Sequence, residues 1–152
     1  MGRFLTPAED EGIDQHPVAV LGHRAWVERM GSDPGVLGST VLINRQPFTV
    51  VGVAPAEFGG HVIGFVPDVY VPIVQYPMLH EGVNSFESRR SSWHMALGRL
   101  APGATLEELN TQLAAVSDRL AAAYPETNAQ RSFTAIELGA VPGPGRGPVR
   151  LF

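Results

Sequence analysis

The chain has no cysteine, which excludes disulfides, thiolate zinc sites and a cysteine nucleophile, and by itself assigns no compartment. No run approaches the ~18 consecutive apolar residues that read as a membrane-spanning helix, and Met1 to Pro7 lacks the apolar stretch of a signal peptide. As written, nothing in the chain inserts or exports it, so a role outside the cytoplasm requires that it be part of something longer. Charge is also sparse. Asp, Glu, Lys and Arg make up 17% of the residues, and the 11 basic ones are scattered, not striped, within a net charge of −4. That pattern carries no footprint for a phosphate backbone and argues against nucleic acid as a partner. What is plentiful is glycine and proline, 17 and 13 in 152 residues, which calls for many turns and short elements. With 44% hydrophobic residues the chain can still enclose a core, as one domain or two small lobes.

Residues 1 to 16 are polar, acidic and rich in turn formers, and read as an entry loop that adds nothing to the core. Val18-Ala19-Val20-Leu21 fits a buried strand. Gly22 to Met30 follows as about two helical turns, with Trp26 and Met30 on one face. Asp33-Pro34 breaks the helix and can open another short turn. The clearest β signal spans Ser39 to Val53, two β-branched arms around Asn44-Arg45-Gln46-Pro47. Both arms are nearly continuous in apolar character, so both faces of this hairpin are expected to be covered. From Ala54 to Ser92 the chain is loop-rich, and only Asp68-Val69-Tyr70-Val71 resembles a strand.

Trp93 to Leu100 alternates as a strand would. Thr105-Leu106-Glu107-Glu108 has the form of a capping box, and Leu106, Leu109, Leu113, Val116 and Leu120 then recur at helical spacing up to Pro125. Ser132 to Leu138 alternates again. The expected architecture is therefore α/β of the α+β kind, with a β-rich lobe at 17–92, a β-α-β lobe at 93–138 and an extended linker at 139–152.

In order along the chain, the strings GRFLTPAED from Gly2, PVAVL from Pro17, Trp26 followed by DPGVLG from Asp33, LINRQPFTVVGVAP from Leu42, GRLAPGATLE from Gly98 and YPETN from Tyr124 resemble the MacB-like periplasmic core domain of ABC-transporter permeases. The resemblance covers roughly residues 2 to 138. It implies an extracytoplasmic domain on the periplasmic side of the bacterial inner membrane, set between a first transmembrane helix and three further ones and driven by a cytoplasmic ATPase subunit or domain. It implies partners as well: the remainder of the permease, that ATPase, a periplasmic adaptor and a second copy in a homodimer. On this reading the chain begins after an N-terminal β-α-β portion of the domain and stops short of the second transmembrane helix. One departure stands out. Arg45 occupies a hairpin position where the family commonly has Gly, which demands either a longer loop through Gln46 or a strained turn.

The residues that carry chemistry do not converge in the sequence. The five histidines, at 16, 23, 61, 80 and 94, include no i, i+4 pair, and His80-Glu81 lacks the second histidine of a metalloprotease helix. Glu9-Asp10-Glu11 reads as solvated chain and Glu107-Glu108 as helix capping. Ser85 to Ser92 reads as a surface loop, and the leucine stripe from 106 to 120 as core. No catalytic, cofactor-binding or metal-binding residue is assigned, no cofactor is expected, and the domain is read as non-catalytic. Two rival readings are a stand-alone binding module and a small hydrolase built on His94 with Ser91 or Ser92. The surface expected to make contacts is Phe58 to Glu87.

Overall fold

The computed structural model describes residues 1–13, 15–60, 65–80, 86–91 and 96–137. The chain falls into two units, Met1–Val83 and Asn84–Phe152. In the first, β1 (Val18–Leu21) leads through Gly22 into α1 (His23–Met30), and a 3-10 turn at Pro34–Val36 precedes β2 (Thr40–Ile43) and β3 (Gln46–Val53). β4 (Val69–Tyr70) follows a long connection, and a second 3-10 turn, Ile73–Gln75, runs into the short helix α2 (Tyr76–Leu79). The sheet order is β2-β3-β1-β4, with β1 parallel to β3 and the other pairs antiparallel. This mixed sheet with helices bears out the expected α+β class.

The core forms where β1 and β3 run side by side. Leu21, Val36, Val50 and Val53 are buried together, and Trp26 and Met30, one turn apart on α1, pack against them. Asp33 caps its own turn by accepting the Gly35 N–H at 2.8 Å, while the Trp26 indole N–H donates to the Asp33 carbonyl. The helix, the turn and the core are thus tied through a few local bonds.

The hairpin closes in the tightest way available to it. Ile43 pairs with Gln46, and Asn44 and Arg45 both take left-handed φ, 47° and 66°. Arg45 therefore occupies the strained two-residue turn and not a longer loop, at a cost of roughly 1 kcal/mol. The Asn44 amide donates to the Leu79 carbonyl at 3.0 Å, which fastens the turn to the end of α2.

Two expectations are corrected. The hairpin is not covered on both faces: Phe48 and Val50 are buried, Pro47 and Thr49 are exposed, and Leu42 is 72% exposed on β2 at the sheet's edge. The β-branched run records strand preference more than two-sided burial. Nor is the opening segment a plain loop. Past the end of β2, Met1–Arg3 takes over the same side of β3, with Gly2 bridging Gly52, Arg3 N–H donating to the Val51 carbonyl and Val53 N–H to the Met1 carbonyl.

In the second unit, α3 (Leu106–Ala123) begins on the expected capping box: Thr105 Oγ1 accepts the Glu108 N–H, and the Glu108 carboxylate accepts the Thr105 N–H at 2.8 Å. Those bonds hold the Glu108 carboxyl below the usual carboxylate range. Tyr124 ends the helix, and α4 (Pro125–Asn128) follows. Leu106, Leu109, Leu113, Val116 and Leu120 are half-buried, and Ser117 is the helix's buried residue. Of the two strands expected beside this helix, residues 92–95 and 138 lie outside the described residues, and Ala96–Leu100 and Ser132–Glu137 pair with no strand among the described residues. The linker expected at 139–152 is also outside them. No helix among the described residues is long and apolar enough to cross a membrane.

Candidate functional site

A groove of about 750 Å³ lies beside β4 in the first unit. Its floor is aromatic. Phe4, Phe58 and Tyr70 form a mutual cluster with ring centroids 5.4 to 5.9 Å apart, Phe4 meeting Phe58 edge-on. Phe65, 61% exposed, and Val66 extend the apolar lining toward solvent. The Tyr70 hydroxyl is buried without a hydrogen-bond partner among the described residues, and burial pushes its pKa up.

The rim is charged. Asp68, just before β4, accepts from Arg24 at 3.1 Å and from Arg29 at 2.7 Å, so one carboxylate joins both ends of α1 to the strand at the sheet's edge. All three side chains are substantially exposed, and such pairs contribute little stability each. Their effect is positional: they hold α1 beside the chain that enters the groove.

A second polar cluster sits under the opening segment. Arg3 holds Glu9 through two bonds, at 2.6 and 3.0 Å, while the Thr6 N–H and hydroxyl donate to the same carboxylate. The bonds from Arg3 lead in holding the Glu9 carboxyl down at about 2, against the opposing pull of burial. Glu9 is therefore no solvated member of an acidic run. Asp10 has a task too, accepting the Ile73 N–H at 2.8 Å.

Glu9 supplies a test through pH. A carboxylate whose pKa is depressed on folding contributes stability that is complete above its unfolded value of about 4.3 and is lost as pH falls toward about 2. The denaturation midpoint of the wild type is expected to drop through that window, and Glu9→Gln is expected to be less stable at neutral pH with a shallower drop. Urea titrations across the acid range read both slopes, and parallel curves would count against the assignment.

The other candidate residues stay apart. His16 and His80 are exposed, and His80 stacks on Tyr76 with centroids 3.9 Å apart. His23 is half-buried against the edge of Trp26. His61, His94 and Ser92 lie outside the described residues, and Ser91 is engaged in a turn with Ser88. Among the described residues no three His, Asp or Glu side chains gather as a metal site would require. In the surface loop after residue 85, Arg89 lies over the Tyr124 ring at 3.8 Å.

A mixed sheet whose charged groups are engaged in tying elements together, beside an open aromatic groove, describes a structural or recognition domain. The family model for the MacB-like periplasmic core domain matches residues 1–116, and the chain belongs to that family. It is accordingly an extracytoplasmic domain of an ABC-transporter permease, on the periplasmic side of the inner membrane. Such permeases pair with ATPase subunits, and the family is a non-catalytic transporter component. No curated protein and no solved structure matches the chain.

Proposed function

We propose that this domain catalyses no reaction of its own and passes the ATP-driven movement of the permease's membrane helices to contacts made outside the membrane. The observation that carries the reading is the groove of Phe4, Phe58, Phe65 and Tyr70. It combines exposed apolar surface with a backbone fastened on both sides, by Arg3–Glu9 and by Asp68 with its two arginines. Exposed aromatic surface on a braced scaffold suits a contact that must bear load. The contact segment is Phe58 to Glu87, with Phe65, Val66 and Ile73 among its exposed described apolar members.

The absence of cysteine here makes the test direct. Phe65→Cys, in the full-length permease cleared of other cysteines and reconstituted with its ATPase, carries an environment-sensitive fluorophore. Its emission is expected to shift when ATP is added and to stay fixed when the ATPase is hydrolysis-deficient. A spectrum indifferent to nucleotide would remove the support for coupling through this surface.

A further inference from the structure

The rim of the aromatic groove carries more positive charge than its own carboxylate cancels. Arg24 and Arg29 both hold Asp68, one through each carboxylate oxygen, at 3.1 and 2.7 Å. Two guanidiniums thus share one carboxylate, and among the described residues neither has another ion-pair partner. Glu28, on the same helix, pairs with neither of them. Donors are in surplus as well, since each arginine gives Asp68 a single N–H of the several that a guanidinium carries. Of the two, Arg24 lines the groove, and its side chain is 55% exposed. Asp68 lines it too, but both of its oxygens are already held, and the Tyr70 hydroxyl is buried. What the lining side chains offer a polar occupant is therefore a cationic donor. Next to it stand Phe58, Phe65 and Val66, with Phe65 open to solvent. An apolar cleft of about 750 Å³ with one charged group left to engage has the size and make-up of a small-molecule site.

We propose that the groove binds an amphipathic organic anion, its apolar body against Phe65 and Val66 and its acidic head, a carboxylate or sulfonate, on Arg24. A guanidinium suits such a head because its N–H groups form a planar fork that matches paired acceptor oxygens. A cationic ligand would have to compete with two guanidiniums for Asp68, and a neutral one would leave the surplus charge to water. The Arg24–Asp68 pair is exposed and contributes little to stability, so Arg24 can turn toward a ligand without loosening the fold. Such a ligand deepens the reading of this groove as a contact surface and rests on it, but needs no force transmission. Binding by the isolated chain involves neither ATPase nor nucleotide, so it can fail while coupling stands, and coupling can fail while binding stands.

The test uses the 152-residue chain itself. Anilinonaphthalene sulfonate is the probe, and N-phenylnaphthylamine, the same rings without the sulfonate, is its neutral counterpart. Both dyes brighten on entering apolar surroundings, so fluorescence titration gives both affinities. Arg24→Gln is expected to weaken the sulfonate about fivefold and to leave the neutral dye unchanged. Phe65→Ser is expected to weaken both dyes, again about fivefold. Leu42→Ser, at an exposed leucine of β2 outside the groove, is expected to alter neither. All three positions are exposed, and circular dichroism spectra are expected to match the wild type. A wild-type chain that binds no sulfonate saturably overturns the proposal. So does a sulfonate affinity indifferent to Arg24→Gln, an equal loss of both dyes in that variant, or a loss at Leu42→Ser as large as at Phe65→Ser.

Discussion

Gly52→Ala is expected to lower the unfolding free energy by about 2–3 kcal/mol, a large effect for a single methyl group. Gly52 lies in β3 where Met1–Arg3 crosses it, and a Cβ built there collides with the backbone of Arg3, including its carbonyl oxygen. Backbone on both sides leaves no flexible side chain to give way. Relief requires the opening segment to lift off, which forfeits the Arg3–Val51 and Met1–Val53 backbone bonds and draws Arg3 away from Glu9. Gly2 reinforces the argument: it has φ 66°, and a Cβ there meets the Val51 carbonyl at 2.5 Å. Urea denaturation gives the stability change, and hydrogen exchange at the Arg3 and Val53 amides should report their loss of protection. Wild-type protection in the alanine variant would mean that the two backbones do not approach this closely.

The opposite sign is expected at Gln75, where Gln75→Met should raise stability by about 1–3 kcal/mol. Gln75 is 0% exposed, and neither its amide nitrogen nor its amide oxygen has a hydrogen-bond partner among the described residues. It ends the 3-10 turn behind the buried Pro72, within a segment anchored by Asp10 at Ile73 and by Asn44 at Leu79. A buried amide without partners forfeits its bonds to water, whereas methionine fills a similar length with apolar atoms. Thermal and urea midpoints should both rise. A fall would mean that the amide makes bonds in solution whose loss outweighs the burial of a thioether.

The local parts of this fold were legible in the sequence, and the long-range parts were not. Val18–Leu21, the hairpin and the capping box at Thr105 announce themselves because propensity, caps and periodicity act over a few residues. The family likewise came through the ordered strings from Gly2 to Glu107. Glu9 was misread because its partner Arg3 is not a helical neighbour, and an acidic run next to Pro7 resembles solvated chain. The pairing of Gly2 with Gly52 left no pattern, since glycine backbones meet without side chains to signal it. Helix α2 was hidden because Pro77 sits in its first turn and Pro72 just before the turn that leads into it, and such punctuation reads as loop. The aromatic groove was missed for the same reason as the opening segment: Phe4, Phe58 and Tyr70 are separated in the chain, and long-range pairings, Gly2 with Gly52 and β1 with β4, place them together. In the second unit, alternation reads Ser132 to Leu138 as a strand, but its described residues, through Glu137, pair with no strand among the described residues.

The strand pairings of the first unit also constrain the order in which it can assemble. The hairpin joins near neighbours, Ile43 with Gln46, but β1 must meet Thr49 to Val53 on one flank and Val69 with Tyr70 on the other, and Gly2 must wait for Gly52. Closing those distant loops costs entropy before any reward arrives. A ribosome emitting this polypeptide would therefore have released nearly the whole unit before its central strand found both neighbours, and the turn at Asn44–Arg45, strained as it is, closes the most local strand pairing.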